Sequence, residues 1–294
     1  MSTPAPALAH PPELTVRKLE VDLSDGFAPH WHGGDAFRSM FFNALSMSFP
    51  VGEQFFIDSV REALQKLPET PEHEPLRRQI QGFIGQEATH RRVHGLYNEQ
   101  LARQGLVNRW QHWAQKRIDR TRHFNPLHHL AVTCAYEHFT AVLADITLRH
   151  PDVLDAADER LKTVWRWHAA EETEHSAVAF ALYQALGGNH AWRVRWFTYV
   201  LITFSWEALA QTALNLWHDG SLWRPGTWLS GLRFAWGRQG LVWRCTGPLL
   251  RYYQRDFHPD THSPQAPDLS ARALAERWLR EHASQYRVIG AARR

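Results

Sequence analysis

The chain has 294 residues, enough for one large domain or two small ones, and its 44% apolar content is normal for a globular core. Its formal charge of +3 is small, and no basic run is interleaved with aromatic residues, which argues against nucleic-acid binding. The unusual features are 14 tryptophans and 19 histidines. Tryptophan at this frequency indicates large apolar contacts, a hydrophobic substrate channel or a membrane-surface face.

The amino-terminal segment is rich in proline and alanine and lacks the apolar stretch of a secretory signal. We therefore expect residues 1–14 to form a disordered tail, followed by an irregular lead-in over residues 15–48, within which helix could already begin over the run Ala36 to Met47. The two cysteines, Cys134 and Cys245, lie far apart in sequence. A disulfide framework is not expected, and a reducing cytoplasm fits this cysteine usage.

Four long helices are predicted next, because apolar residues recur at helical spacing between proline- and glycine-rich breaks. Ser48 and Pro50 suit the cap and first turn of the first helix. The predicted ranges are 49–67, 76–104, 126–150 and 155–187. A basic, partly helical connection is expected between the second and third helices.

Glutamate and histidine interrupt the apolar stripe of each predicted helix. The second and fourth helices each carry an E-x-x-H pair, whose two members share one helix face. The first and third helices carry one glutamate each. In chain order these residues are Glu53, then Glu87 and His90, then Glu137, then Glu172 and His175. Burying such groups without partners is costly, so either solvent or a bound cation must compensate their charge.

This order of ligands is that of carboxylate-bridged di-metal sites in ferritin-like four-helix bundles. About one E-x-x-H is expected by chance in a chain of this composition. The evidence for a metal site is therefore the complete order of these residues along the chain, and not either pair by itself. The predicted fold class is therefore all-α: a ferritin-like four-helix bundle with a di-metal carboxylate site and a Trp-rich C-terminal helical extension. A bundle with solvated glutamate and histidine faces is the alternative.

Four carboxylates and two imidazoles suit two divalent metal ions, whose charge balances that of the carboxylates. Oxygen- and imidazole-rich sites favour iron, manganese or zinc over copper(I), and iron is the expectation here. Two of the glutamates are expected to bridge the ions. One ion is assigned the first three ligands in chain order and the other the last three: Glu53, Glu87 and His90, then Glu137, Glu172 and His175.

Two further histidines extend these stripes. His168 lies four residues before Glu172 on the same face, and is either a seventh ligand or a residue that only hydrogen-bonds, for example to Glu171. We expect it to be a ligand or an immediate neighbour of the site. His94 lies one turn beyond His90, where a hydrogen-bonded core histidine is expected in preference to a ligand.

The last third of the chain is different. Residues 189–262 are expected to form the helical extension, and residues 263–294 a final amphipathic helix and tail. The stretch 192–217 is strongly apolar, but its uncharged centre is only about half the length needed to span a bilayer. A buried or interfacial helix is predicted, and tryptophan and arginine at its ends would suit peripheral contact with a membrane.

Five segments of the chain resemble, in order, the bacterial family called predicted metal-dependent hydrolases. They are FPVGEQFFIDSVR, FIGQEATHRRVHG, AYEHFTAVLAD, WHAAEETEHSAVAFALY and RDFHP. The resemblance covers residues 15–262, which we take as a single metal-binding domain with its bundle core at about 49–187. The ligand order is also similar to that of ferritin-like di-iron oxygenases. His168, in H-x-x-x-E-x-x-H, is similar to an additional iron ligand of the arylamine N-oxygenases.

Three classes of function remain open. The leading prediction is a di-iron oxidoreductase that oxidises a small apolar or aromatic substrate with dioxygen and needs an electron donor. The alternative is a metal-dependent hydrolase that uses a metal-bridging hydroxide and needs no oxygen. The third is a non-catalytic metal-binding helical protein, for example in iron storage. The expected location is the cytoplasm, with peripheral membrane contact through residues 192–217; a small-molecule substrate is expected, and a homodimer is left open.

Overall fold

The computed structural model describes residues 14–175, 177–259 and 270–290 of the chain. Within these residues the chain is overwhelmingly helical, which confirms the all-α fold class. The helices are α1 (Ala36–Leu64), α2 (Glu74–Arg103), α3 (Trp110–Thr121), α4 (Pro126–Arg149), α5 (Glu159–His175), α6 (Val178–Ala185), α7 (His190–His218), α8 (Pro225–Trp236), α9 (Leu241–Arg251) and α10 (Ala271–Glu281). Two short strands, β1 (Val16–Leu19) and β2 (Tyr286–Gly290), form an antiparallel sheet.

Helices α1, α2, α4 and α5 form the bundle, with α1 packed against α2 and α4, and α4 packed against α5. Their inward stripes are apolar above and below one polar layer, so most of each stripe is ordinary core. Helix α7 packs across α1 and α4, while α8 covers α1 and α9 covers α4. None of the helices within the described residues combines the length and hydropathy that a bilayer crossing demands.

Helix α1 is longer than predicted, because it starts at Ala36 and continues without a break through Pro50. Proline has no N–H to donate to the carbonyl four residues earlier, which is that of Ser46. The side-chain amide of Asn98 on α2 donates to this carbonyl instead, at 2.9 Å. Asn108 donates in the same way to the carbonyl of Met47, at 2.8 Å. The first bundle helix therefore begins at residue 36, and the cap predicted at Ser48 is wrong.

The other predicted helices agree with the structure to within a few residues, with two differences. The fourth predicted helix is divided, since α5 ends at His175 and α6 begins at Val178. The final helix is capped by Ser270, whose side chain accepts from the Ala273 N–H, but it ends at Glu281 because the chain then turns into β2. Residues 1–13 of the predicted tail lie outside the described residues.

Strand β1 lies where an irregular lead-in was expected. Arg17 is opposite Val288 of β2, and the strand packs against α2. Two glycines of α2 permit this approach: a Cβ at Gly85 would lie 2.5 Å from Val16 Cγ2, and one at Gly82 would lie 2.6 Å from the Leu14 Cβ. The strand thereby brings the side chain of Arg17 to α5, where it pairs with Glu171 and Glu174.

Replacing Gly85 by alanine should displace β1 and lower the free energy of unfolding by about 1–3 kcal/mol, because the new methyl group overlaps Val16. Gly95 is the matched control, since it lies on the same helix and a Cβ added there would meet no atom within 4 Å. Gly95→Ala should stabilise the helix by up to about 1 kcal/mol. Chemical denaturation measures both, and equal changes in the two variants would contradict the close approach of β1.

Candidate metal centre

The structure brings all seven of the predicted site residues to one layer of the bundle. They come from four helices: Glu53 from α1, Glu87 and His90 from α2, Glu137 from α4, and His168, Glu172 and His175 from α5. Each is buried, with no more than 4% of its surface exposed. The helical spacing that selected them in the sequence therefore also directs them inward. We call these seven residues the Glu–His cluster.

The two E-x-x-H pairs face each other across the bundle. One atom from each of Glu87, His90, Glu172 and His175 lies within 4.8 Å of the others. His90 Nδ1 is 3.7 Å from Glu172 Oε1 and 4.0 Å from Glu87 Oε1. His175 Nδ1 is 3.5 Å from Glu87 Oε1. Each imidazole thus approaches the glutamate of the opposite pair, an arrangement that could hold a cation between them.

The remaining three residues extend this group on either side. Glu53, His90 and His168 form a second set whose atoms lie within 4.8 Å of one another. Glu137 Oε2 lies 3.0 Å from His175 Nδ1. His90 belongs to both sets, so the sets cut across the predicted division of ligands between two ions. That division stays a prediction.

The hydrogen-bonding state of the cluster tests whether it fits metal ions. Several buried donor or acceptor atoms have no hydrogen-bond partner among the described residues: both carboxylate oxygens of Glu53 and of Glu87, Glu137 Oε1, His90 Nδ1 and His175 Nε2. Buried polar atoms of native proteins are nearly always paired, and an unpaired set that converges on one point calls for an ion. The donor set of carboxylate oxygens and imidazole nitrogens suits divalent iron, manganese or zinc. The residues therefore fit a metal centre.

Without cations, burial makes these carboxylates hard to ionise. Burial, reinforced by neighbouring carboxylates, raises the pKa values of Glu53 and Glu87 well above their usual range. Burial likewise raises the pKa of Glu137, to about 7, although His175 opposes the shift. Glu172 behaves differently: burial would raise its pKa, but the charge of His175 and the contact with the His168 imidazole lower it to about 2.

The orientation of His90 is fixed from outside the cluster. Its Nε2 lies 3.0 Å from Glu171 Oε2, and the other oxygen of Glu171 accepts from Arg17 at 3.1 Å. Arg17 is held in turn by Glu174, at 2.9 and 3.0 Å. Burial raises the pKa of Glu171, and the charge of Arg17 opposes this shift. With Arg17 donating to Oε1, we assign the carboxylate as the acceptor, which places the His90 proton on Nε2 and leaves the lone pair of Nδ1 facing the cluster. Such a carboxylate–histidine contact is typical of histidines that bind metals.

The orientation of His168 is fixed by a second chain of hydrogen bonds. Asn98 donates through Nδ2 to the Ser46 carbonyl, so its Oδ1 accepts from the Ser46 hydroxyl, at 2.8 Å. The Ser46 oxygen then accepts from His94 Nδ1 at 2.9 Å, and His94 Nε2 accepts from His168 Nδ1 at 2.7 Å. These contacts assign the lone pair of His168 to Nε2, only 2.9 Å from Glu172 Oε1. Two acceptors at that distance need a proton or a cation between them.

His94 is thus the hydrogen-bonded histidine that its position predicted, but other supporting residues were not foreseen. Arg17 and Asn98 belong to no sequence motif that would have indicated their roles, because the residues to which they hydrogen-bond lie far away in the sequence. Glu171 bonds to His90 and not to His168 as suggested. Thr140 donates to Glu172 Oε2 at 2.6 Å, and its position three residues after Glu137 on the same helix face is the one signal that could have indicated it.

A cavity of about 400 Å³ lies beside the cluster, between α1, α3, α4 and α7. Its wall is mainly aromatic, including Phe55, Trp110 and Phe204. Phe49 and Thr140 line this cavity and also a smaller one of about 50 Å³, whose wall includes His168 and Glu172. The small cavity therefore reaches the polar cluster, and Phe49 and Thr140 separate it from the large one. The volume of the large cavity suits a small organic molecule.

Comparison with protein families gives one match: a family model described as "predicted metal-dependent hydrolase" covers residues 15–263. No curated protein and no solved structure is significantly similar to the chain. The matched range includes every residue of the Glu–His cluster and both cavities. The matched range therefore covers the helical extension α7–α9 as well as the bundle.

The metal-free protein should lose stability as the pH rises from about 6.5 to about 9. Below about 6.5 the lowered pKa values of the buried His90 and His94 act in the opposite direction. The pKa of Glu137 is raised to about 7 by burial; that of His175 is raised to about 9 because the charges of Glu172 and Glu137 outweigh burial. A group with a raised folded-state pKa contributes stability that is full below its unfolded pKa and is lost as the pH passes the folded value. Divalent metal should reverse the trend, since the ligands bind ions when deprotonated.

Thermal unfolding at the two pH values, with chelator and with zinc or manganese, measures this effect. Glu87→Gln should weaken the stabilisation by metal, because the amide replaces a charged ligand in the cluster. Glu99→Gln is the matched control, since Glu99 is exposed on the same helix. If Glu87→Gln responded to metal as the control does, the cluster would not be the binding site.

Removing the Ser46 hydroxyl should weaken metal binding about 10- to 100-fold, because His94 and His168 would no longer be held in one tautomer. Ser59→Ala is the matched control: Ser59 is buried on the same helix and bonds to Thr133, apart from this chain of hydrogen bonds. Competition with a chromophoric chelator measures the affinity of each variant. Equal affinities for Ser46→Ala and Ser59→Ala would show that the chain of hydrogen bonds does not orient a ligand.

Proposed function

Since the chain belongs to the family of predicted metal-dependent hydrolases, we propose that it hydrolyses an ester, amide or phosphoester bond in a small apolar substrate. The observation that carries this proposal is the convergence of unpartnered buried carboxylate oxygens and imidazole nitrogens at the end of an apolar cavity. A buried polar layer of this composition is too costly to serve as core packing alone.

The residues that would hold two divalent ions are the members of the Glu–His cluster. One set is Glu87, His90, Glu172 and His175, extended by Glu137; the other is Glu53, His90 and His168. When bound, such ions polarise the oxygen of the bond to be cleaved and lower the pKa of a water molecule to near neutrality. Zinc and manganese would both suit this chemistry, and the donor set also accepts iron.

Thr140 orients the glutamate nearest the cavity. Its hydroxyl donates to Glu172 Oε2 at 2.6 Å, while His168 Nε2 lies 2.9 Å from Glu172 Oε1. Both oxygens of the carboxylate are thereby fixed in direction. Because Thr140 also lines the large cavity, it is a polar group that an entering substrate meets beside the cluster. We assign Thr140 to positioning Glu172 against the substrate's reacting group.

The cavity supplies the substrate's binding surface. Aromatic walls favour an acyl chain or an aryl ring and leave little room for ordered water, which strengthens polar interactions at the reacting end. Phe49 closes the inner end, with its ring 4.7 Å from that of His168 and 4.6 Å from that of His94. Movement of this one side chain would join the large cavity to the cluster.

A second candidate is the dioxygen-dependent oxidation of the same class of substrate. It is favoured by one specific observation: a third imidazole, that of His168, presents Nε2 to the cluster and so enriches the nitrogen donors available to iron. This reaction would require iron, dioxygen and an electron donor. The family membership favours hydrolysis, and the two reactions differ in their need for oxygen.

The test is a hydrolysis assay of protein stripped with chelator and reloaded separately with zinc, manganese or ferrous iron. The substrates are p-nitrophenyl esters of increasing chain length, an anilide and a phosphoester, assayed with and without dioxygen. We expect hydrolysis without dioxygen that is lost with chelator and reduced about 100-fold or more in Glu172→Gln. The exposed Glu99→Gln should retain full activity.

The cavity can be tested in the same assay. Gly52 lines it, and Gly52→Leu should narrow it, raising KM for the longest esters while sparing the acetyl ester. Hydrolysis that persists after full demetallation would exclude the proposed function. If every hydrolysis assay is negative while the ferrous protein consumes dioxygen with an apolar substrate, the second candidate takes its place.

A further inference from the structure

The outward side of α7 is apolar along most of its length. Tyr199, Ile202, Trp206, Leu209 and Trp217 recur at intervals of three, four or eight residues, so they form one stripe about 27 Å long. Their side chains are between 42% and 71% exposed. The one charged residue between Trp196 and Trp217 is Glu207, which is buried and paired with Arg117. A helix face in water normally carries charged residues, and this one does not.

Helices α8 and α9 carry further exposed apolar residues, and they pack on each other and on the helices that α7 also covers, α8 on α1 and α9 on α4. Their exposed apolar residues are Trp228, Leu229, Leu232, Trp236, Trp243 and Leu250, with Trp223 in the preceding turn. The rings of Trp236 and Trp243 are in contact, 5.4 Å between centroids, which joins the two helices. Such a collection far exceeds scattered exposed residues and marks an interaction surface.

Positive charge predominates on this surface. Residues 191–256 contain eight arginines and three acidic residues, a net charge of +5, whereas the whole chain carries +3. Two of the acidic residues are paired, Glu207 with Arg117 and Asp219 with His30, and the third, Asp256, is exposed beside Arg255. The exposed arginines of this range are Arg195, Arg224, Arg233, Arg238, Arg251 and Arg255. We call these arginines, with the exposed apolar residues of α7–α9, the Trp–Arg face.

We propose that the Trp–Arg face docks on the surface of a bilayer that contains anionic phospholipid. Tryptophan rings prefer the headgroup level of a bilayer, and the arginines would lie against lipid phosphates. The helices would lie on the membrane, with their apolar residues in the outer part of the acyl region. Contact with a second copy is disfavoured, because a two-fold interface would bring this positively charged patch against itself.

The face also meets the large cavity. Arg195 and Tyr199 belong to the face and line the cavity, together with their neighbour Trp196. A docked protein would therefore open its cavity toward the lipid, from which apolar molecules could enter without crossing water. This consequence for substrate supply depends on the proposed function, whereas docking itself stands on exposure and charge alone.

Vesicle flotation of the full-length protein tests the proposal. We expect binding to vesicles of phosphatidylcholine with about one quarter phosphatidylglycerol, weaker binding to phosphatidylcholine alone, and release at high salt.

The double variant Trp206→Ser/Trp217→Ser should bind about tenfold more weakly, since two apolar anchors are lost. Arg233→Gln/Arg238→Gln should lose the preference for anionic lipid. Ile289→Ser is the matched control, because Ile289 is 53% exposed on β2, outside the face.

Three results would overturn the proposal. The first is that the protein floats with neither kind of vesicle. The second is that the double tryptophan variant floats as well as the Ile289→Ser control. The third is that the unmodified protein is a dimer that binds no vesicles and that the double tryptophan variant is a monomer. Far-ultraviolet circular dichroism and thermal unfolding check that each variant is folded. Because flotation needs neither metal nor substrate, its result is independent of the hydrolysis assay.

Discussion

Four glutamates in one buried layer, with no lysine or arginine paired to them in the described part of the chain, are the constraint on which the rest of this structure depends. Burial alone raises the pKa values of Glu53, Glu87 and Glu137, and mutual repulsion adds to it. Histidine neutralises only part of the layer: against the effect of burial, the charges of Glu172 and Glu137 raise the pKa of His175 to about 9, but burial keeps His90 uncharged, with its pKa well below the usual range. Divalent ions compensate such a layer in full, which explains why four helices each direct a carboxylate inward.

The hydrogen bonds around this layer orient its imidazole rings. A neutral imidazole binds a cation through one nitrogen only, and its other nitrogen carries the proton, so that N–H must be held by an acceptor. For His90 this support is Glu171, kept in place by Arg17 from β1. For His168 it is the chain of hydrogen bonds through His94 and Ser46. The small sheet positions Arg17, and the unbroken α1 helix positions Ser46.

The sequence predicted the parts of the site that depend on short-range spacing. Glu87 and His90 share a face because they are one helical turn apart, and the same holds for Glu172 and His175. It did not predict parts that depend on contacts distant along the chain. Arg17 lies 154 residues from Glu171, and Pro50 ends a helix by every local rule. In the continuous helix the amide of Asn98, placed by α2, donates to the carbonyl that Pro50 leaves without a donor.

Asn98 shows how fold and site are coupled in this protein. Its Nδ2 supplies the donor that Pro50 lacks, and that bond determines which atom of the same amide faces Ser46. The direction of every later hydrogen bond, as far as His168 Nε2, follows from this one orientation. An alanine in place of Pro50 would supply its own N–H to the Ser46 carbonyl and free the amide to rotate. A proline that looks like a helix break is therefore part of what directs a metal-facing lone pair.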